Sequence, residues 1–326
     1  MITSTLGSAY TINAARSQEA QDHLDHLVVM SISDGFSFSE YESFRSFLRT
    51  NPWCRYVAIF FEHEGERPLR QNIKDVLADI AYNYGKDSVR IYWIECNRNF
   101  AQPRPFVGPK VCTYSIAELH AAKAYLFLDL DMWHLSTCRL LIEKAKSGHS
   151  SAVLECGETS LYSAMYEEGG CYNGNPSDRE KYAFFGEFGY ANAPVYNSGV
   201  LSLSRLDANQ LLVYLRMMVI QDLTKWMFTK NGDKFIGNRE QAIVGHLLVK
   251  IGIETIHSGW NIQLVRDTRL ILSNGKLVYP DAPICILHFN GFANPNGPAR
   301  EWHNRLLHCQ KILKQAGLPI EIGGFY

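Results

Sequence analysis

Strand-like apolar runs alternate with amphipathic segments over the first 131 residues of this 326-residue chain, and this alternation restricts the fold more than any other feature. Strands are predicted at 26–32, 55–62, 88–95 and 124–131, and helices at 39–50, 69–85 and 115–122. Regular alternation of this kind is typical of an α/β domain with a mostly parallel, doubly wound sheet and helices on both faces. Ligands of such sheets bind near the carboxyl ends of the strands.

The rest of the chain continues the pattern less regularly. Further strands are predicted at 151–156, 193–205 and 282–291, and further helices at 135–148, 208–228, 238–252 and 299–317. These assignments predict an N-terminal arm at 1–26 that is loose or a short helix, one large domain at 27–298, and a C-terminal helix and tail at 299–326. The irregular, aromatic-rich stretch 157–193 is either an acceptor-binding loop or ordinary packing under a long loop.

Charge, cysteine spacing and hydropathy exclude several classes of protein. The formal net charge is -1, so the chain has no general attraction to nucleic acid. The eight cysteines are spread singly, which argues against a zinc ribbon and favours a reducing, cytoplasmic location. Cys96 and Cys285 lie in apolar runs and are predicted to be buried thiols. No signal peptide is visible, and no apolar run approaches the ~20 residues of a membrane-spanning helix. Peripheral membrane contact through the basic helix 299–317 stays open.

Two aspartates interrupt the apolar run "YLFLDLDMWHL" that begins at Tyr125. In an extended strand, Asp129 and Asp131 point to the same face, so their carboxylates converge at the carboxyl end of that strand. Two convergent anions favour either a shared proton or a bound divalent cation. The alternative is a strand that ends at Asp129 with two solvated acids.

Two classes of enzyme place a DxD motif after an apolar strand. In phosphatases of the haloacid-dehalogenase type, Thr or Val lies two residues after the second aspartate, and the motif lies near the N-terminus. Here the position is occupied by Trp133, and the motif follows three βα units. That placement instead resembles the glycosyltransferases of the GT-A fold.

Three later motifs strengthen this resemblance. "VYNSGVLSLSR" contains Asn197, Ser198 and Gly199, and resembles the Asn-Ser-Gly strand of glycosyltransferase family 8, the group of glycogenin and lipopolysaccharide galactosyltransferases. "NREQAIV" resembles the Asp-Gln helix start of that family, and "ILHFNGFANP" resembles its HxxGxxKP motif. The order of the four motifs is that of the family, from about residue 27 to residue 298.

The resemblance implies a divergent family 8 glycosyltransferase of the GT-A fold that uses Mn²⁺ or Mg²⁺ and a UDP-sugar donor, with retention of anomeric configuration. By resemblance, Asp129, Asp131 and His288 hold the metal. The residues expected at the sugar are Asn197, Glu240 and Gln241. The residues expected at the nucleotide and diphosphate are Ser31, Ser33, Asp34, Leu130, Gly291 and Asn294, whereas Ser198 and Gly199 stand with Asn197 where the family contacts the sugar.

Two departures from the family pattern keep other functions open. Asn294 stands where the family has a lysine that holds the leaving diphosphate, and Glu240 replaces an aspartate. The missing charge would come from Lys110, Arg300, an arginine within 97–104, or the helix that follows Pro298. The alternatives are therefore a non-catalytic binder of nucleotide sugar or glycan, and a DxD phosphotransferase. The acceptor (glycan, lipid-linked core, protein or modified base) and the oligomeric state stay open.

Overall fold

A computed structural model describes a large part of the chain. The described residues are 3–4, 10–14, 24–32, 38–54, 56–63, 78, 82, 89–96, 113–155, 194–220, 239–264, 269–280, 282–288, 311 and 313–317. The strands are β1 Thr3–Ser4, β2 Tyr10–Ala14, β3 Leu27–Ile32, β4 Val57–His63, β5 Val89–Cys96, β6 Ala124–Leu128, β7 Met132–His134, β8 Ser151–Leu154, β9 Tyr196–Ser204, β10 Glu254–Ile256, β11 Ile262–Gln263, β12 Ile271–Ser273, β13 Lys276–Val278 and β14 Ile286–His288. The helices are α1 Phe38–Thr50, α2 Ile116–Leu119, α3 Arg139–Lys146, α4 Arg205–Ile220 and α5 Arg239–Ile251.

Within the described residues, nine strands form one central sheet in the order β1-β2-β5-β4-β3-β6-β9-β8-β10. Strands β5, β4, β3 and β6 pair in parallel. β9 runs antiparallel to both β6 and β8, while β10 pairs in parallel with β8. The predicted mostly parallel α/β sheet is therefore confirmed.

Side chains alternate between the two faces of the sheet, and each face has its own apolar core. On β3, Leu27 and Val29 join one cluster with residues of α2, α4 and α5. Val28 and Met30, one step out of phase, join a second cluster with residues of α1 and α3. This period of two is the geometry of a strand that is buried on both sides, and it confirms the prediction of helices on both faces.

Three segments differ from the sequence prediction. The N-terminal segment is not a loose arm or short helix but contributes β1 and β2. β2 pairs antiparallel with β5, from Tyr10 opposite Cys96 to Ala14 opposite Tyr92, and β1 lies beyond it at the edge of the sheet. The strand predicted at 124–131 ends at Leu128. The predicted helix 115–122 is reduced to α2, because Ala122 already bridges to Leu24.

Several predictions fall wholly or partly outside the described residues. The aromatic stretch 157–193 lies outside them, and of the helix predicted at 69–85 only residues 78 and 82 are described, both helical. Of the C-terminal helix, residues 311 and 313–315 are helical, and Leu313 is fully buried against Trp133 and its neighbours. The division into three parts stays a prediction.

A small second sheet has the order β11-β14-β7 and is joined to the end of β6 by the short connection 129–131. β14 pairs antiparallel with β7 and parallel with β11. A third cluster, which includes Trp133, Ile262 and Leu287, packs with it. This sheet links residues that are far apart in sequence, and it carries one side of the candidate site.

No helix among the described residues is long and apolar enough to cross a membrane. Three of the cysteines, Cys54, Cys138 and Cys285, are buried free thiols in the second core cluster, as predicted for Cys285.

Candidate metal centre

The two aspartates of the DxD motif lie in the connection between β6 and β7, directly after the carboxyl end of β6. The backbone N–H of Asp129 still donates to the carbonyl of Gly199 on β9 at 3.0 Å, although the strand ends one residue earlier. The side chains of Asp129 and Asp131 are 23% and 41% exposed. The two carboxylates therefore remain partly hydrated, and they avoid part of the desolvation penalty that they would have in a fully buried strand.

His288 reaches these carboxylates because β14 pairs with β7. The register places His288 opposite Met132, the residue that follows the DxD motif. Its Nε2 lies 3.1 Å from Asp131 Oδ1 and 3.7 Å from Asp129 Oδ2. Ligand atoms of these three residues all lie within 4.8 Å of one another, so the structure brings together the three residues predicted to hold a metal.

Two serines of α1 hold β7 on the side away from β14. Ser43 Oγ donates to the Met132 carbonyl and accepts from the Met132 N–H, and Ser46 Oγ accepts from the His134 N–H at 2.9 Å. Both serines are buried. Their hydroxyls bond to the backbone of β7 as a neighbouring strand would. The sequence did not predict this role, because serines three residues apart on an amphipathic helix are typical of a solvent-exposed face.

Behind His288 runs a buried chain of side-chain hydrogen bonds. His288 Nδ1 lies 2.8 Å from Asn261 Oδ1, and Asn261 Nδ2 donates to Asn197 Oδ1 at 2.6 Å. Asn197 Nδ2 donates in turn to Glu155 Oε2 at 2.7 Å. The four side chains, here called the relay, are all at most 3% exposed. Asn261 and Glu155 were not predicted as site residues; the only sequence signal is a polar residue beside apolar ones.

Gly199 provides the space in which His288 packs. A Cβ at this position would lie 2.7 Å from Met132 Cε and 2.9 Å from His288 Cε1, closer than real Cβ contacts allow. Next to it, the pairing of β9 with β8 shifts register from Leu201 opposite Ala152 to Asn197 opposite Val153. Irregularities of this kind are common beside functional sites, and this one lies at Asn197, a member of the relay.

The remaining predicted site residues are described only in part. Glu240 and Gln241 lie in the first turn of α5, and Ser31 lies in β3, but the side chains of these three residues are outside the described set. Ser198 and Leu130 are buried, the latter in the second core cluster. The residues wholly outside the described set are Ser33, Asp34, Gly291 and Asn294.

A second buried histidine lies three residues beyond the DxD motif. His134 packs edge-on against Phe47, with ring centroids 5.2 Å apart, and its Nδ1 lies 3.8 Å from the sulfur of Cys138. Burial among these groups lowers the pKa of His134 to about 3, because the site offers nothing to offset the lost hydration of an imidazolium. His134 is therefore neutral at ordinary pH.

Comparison with known proteins agrees with the architecture. No protein-family model and no curated protein matches the sequence. An active-site mutant of LgtC matches the structure with a TM-score of 0.50 at 14% identity, covering 89% of this chain and 95% of that chain. WbbM, a bifunctional glycosyltransferase, matches with a TM-score of 0.50 at 13% identity, covering 92% of this chain but 53% of its own.

The chain has the GT-A fold. A further structure, the galactosyltransferase LgtC with donor and acceptor sugar analogues, has a TM-score of 0.49 at 17% identity, with 89% of this chain and 95% of that chain covered. In this GT-A chain, Asp129, Asp131 and His288 lie near the carboxyl end of β6. The carboxyl ends of the strands are where α/β sheets bind their ligands.

Proposed function

We propose that the protein is a metal-dependent glycosyltransferase that moves a sugar from a nucleoside-diphosphate donor to a hydroxyl acceptor. The observation that carries this proposal is the convergence of Asp129, Asp131 and His288 at the carboxyl edge of the sheet, in a chain with the GT-A fold. LgtC and WbbM, the structural neighbours with this fold, are both glycosyltransferases by name, which supports the same class of reaction.

The donor set fits a divalent cation. Two carboxylates and one imidazole suit Mn²⁺, and Mg²⁺ is the alternative. A cation held there would bind the diphosphate and stabilise the negative charge that develops on it as the sugar leaves. The two carboxylates are partly exposed and therefore accessible to a ligand from solvent, whereas His288 is buried and held from within the protein.

The finer assignments rest on the sequence resemblance. The donor is proposed to be a UDP-sugar, transferred with retention. The proposed cytoplasmic location rests instead on the singly spread cysteines. Residues proposed at the nucleotide and diphosphate are Ser31, Ser33, Asp34, Leu130, Gly291 and Asn294, and residues proposed at the sugar are Asn197, Ser198, Gly199, Glu240 and Gln241. The acceptor is proposed to be a glycan, a lipid-linked core or a protein.

Donor turnover tests the proposal directly. The protein is incubated with UDP-glucose, UDP-galactose and other nucleotide sugars in the presence of Mn²⁺, and released nucleotide is measured. We expect Mn²⁺-dependent release with at least one donor, and loss of that release in Asp131→Asn, which keeps the shape of the side chain but removes its charge. Absence of release with every donor, together with absence of metal-dependent nucleotide binding in calorimetry, would overturn the proposal.

The same measurements separate the two alternatives. A non-catalytic nucleotide-sugar binder gives metal-dependent binding with no release. A phosphotransferase moves the phosphoryl group of a phosphomonoester to an acceptor, releasing inorganic phosphate where the acceptor is water, and leaves nucleotide sugars intact.

A further inference from the structure

The relay behind His288 determines which of the two ring nitrogens faces the carboxylates with a lone pair. A histidine binds a metal through an unprotonated nitrogen, and the proton on the other nitrogen is held by a hydrogen-bond acceptor. In this chain, the orientation of each amide in the relay can be derived from groups whose hydrogen-bonding role is fixed.

The first fixed group is a backbone N–H. Gly199 N lies 2.7 Å from one side-chain atom of Asn197, and because an N–H can only donate, that atom is the oxygen Oδ1. The other end of Asn197 is then the NH₂ group, which faces the carboxylate of Glu155 at 2.7 Å. Glu155 supplies an acceptor for it, so the backbone and the acid impose the same orientation on Asn197.

The orientation of Asn197 then determines that of Asn261. The atom of Asn261 that lies 2.6 Å from Asn197 Oδ1 must donate, so it is Nδ2. Asn261 Oδ1 is therefore the atom 2.8 Å from His288 Nδ1, and an oxygen acceptor at that distance requires the proton on Nδ1. The lone pair of Nε2 consequently points at Asp131 Oδ1, 3.1 Å away.

This derivation assigns a role to residues that do not contact the proposed metal. We propose that Asn261 is a positioning residue that keeps His288 in the Nδ1–H form, and that Asn197 and Glu155 hold Asn261 in the orientation this requires. The inference rests on the proposed metal site, and it gives Asn197 a role besides the sugar contact that the resemblance implies. Burial of all four side chains excludes the water that would otherwise satisfy either tautomer.

Two measurements on the 326-residue chain test the inference, and one of them requires neither activity nor metal. Histidine-selective ¹⁵N labelling reports the protonation of each ring nitrogen, and loss of one signal in His288→Gln assigns His288. In mildly alkaline buffer, we expect Nδ1 of His288 to carry a proton in the wild type, both without metal and with Mg²⁺. In Asn261→Ala, which removes the acceptor, we expect the proton on Nε2 in the metal-free protein, donated to Asp131.

The second measurement is Mn²⁺ affinity by calorimetry. Asn261→Ala should weaken binding roughly 10- to 100-fold, the usual consequence of removing the hydrogen-bond partner of a metal-bound histidine. Asn261→Asp keeps an oxygen beside Nδ1 but loses the donor to Asn197 Oδ1, so it should weaken binding less than Asn261→Ala does. Asn51→Ala is the matched control, because Asn51 is also fully buried but bonds to Cys138 N instead of the relay. It should lower thermal stability and leave affinity unchanged.

The outcomes separate this inference from the proposed function. If the wild type fails to bind Mn²⁺, the metal site itself is wrong. If the wild type binds and Asn261→Ala binds equally well, the positioning role is wrong and the metal site stands. An unprotonated Nδ1 in the wild type overturns the inference whatever the variants do, including the case in which Asn261→Ala does not fold.

Discussion

β7 and β14 each carry one buried histidine, and the two histidines lie at opposite ends of the ladder that joins these strands. His288 is opposite Met132, and His134 is opposite Ile286. Both side chains are 3% exposed, so burial does not distinguish them. Their surroundings distinguish them. His288 has the Asn261 amide oxygen beside Nδ1 and two carboxylates near Nε2, whereas His134 packs against an aromatic ring and a thiol.

The difference shows how the surroundings of a buried histidine decide whether it could serve as a metal ligand. At the His134 end, desolvation alone acts, and it lowers the pKa to about 3 and leaves a neutral side chain that fills space. At the His288 end, fixed polar groups select one nitrogen and aim it at two anions. The following predictions test how far this contrast holds, beginning with the largest effect.

Replacing His288 should have the largest effect on metal binding. His288→Ala is expected to lower Mn²⁺ affinity by roughly 100-fold or more, since loss of a ligand exceeds the loss caused by removing a ligand's partner. His134→Leu, at the other end of the same ladder, should leave the affinity unchanged. Calorimetric titration of both variants measures this, and equal losses in the two would remove the contrast.

Filling the space beside His288 should have the next largest effect. In Gly199→Ala, the new Cβ lies within 3 Å of both Met132 Cε and His288 Cε1, so we expect a loss of about 1–3 kcal/mol in the free energy of unfolding and weaker Mn²⁺ binding. Gly245→Ala is the matched control, because its Cβ would lie 3.5 Å from the Tyr196 carbonyl, an ordinary contact, within helix α5. That variant should gain stability by up to about 1 kcal/mol. Urea unfolding measures the free energy of unfolding of both variants. An unchanged free energy in Gly199→Ala would contradict the close packing around this glycine.

The pH dependence of stability should identify His134. Its pKa is lowered from 6.5 to about 3 in the folded protein, so below pH 6.5 the unfolded chain takes up a proton that the folded protein does not. The free energy of unfolding therefore falls by roughly 1.4 kcal/mol per pH unit as the pH decreases from 6.5 toward about 3. Above pH 6.5, His134 does not contribute to the pH dependence of stability. His134→Leu should lose this part of the slope, or about 2 kcal/mol between pH 6.5 and about pH 5. Parallel curves for the two proteins would contradict the prediction.

The smallest effects should come from the serines of α1, one for each end of β7. Ser43→Ala and Ser46→Ala should each lower the free energy of unfolding by about 1 kcal/mol, because each removes a hydrogen-bond partner from a buried backbone group. Only Ser43→Ala should also weaken Mn²⁺ binding, since Ser43 holds Met132, the partner of His288. Equal Mn²⁺ affinities in the two variants would show that the ends of β7 are not independent.

The sequence predicted the features that depend on local pattern. Runs of apolar residues gave the strands of the parallel sheet, and the DxD and His motifs gave three residues that the structure brings together. Backbone pairing over long distances was not predictable in the same way. Tyr10–Ala14 forms a strand because it pairs with β5, more than 70 residues away, and not because its own pattern is strongly alternating.

The relay and the end of β6 were missed for a related reason. Asn261 and Glu155 are single polar residues next to apolar ones, and their importance lies in partners 27 and 42 residues away, respectively. The DxD motif was predicted as part of the strand, whereas β6 ends at Leu128 and the chain turns into β7 to meet β14. In both cases the structure depends on contacts with a segment that is distant in sequence, and the local hydrophobic pattern does not predict such contacts.

The ladder between β7 and β14 also has a consequence for biosynthesis. The imidazole of His288 and the carboxylate of Asp131 are separated by 157 residues, and a chain leaves the ribosome from its N-terminus. The four parallel strands β3 to β6 can pair while synthesis continues, but the nascent protein lacks the third side chain of the candidate metal centre until β14 emerges. A chain that stops before residue 288 would carry both acids and be unable to complete the centre.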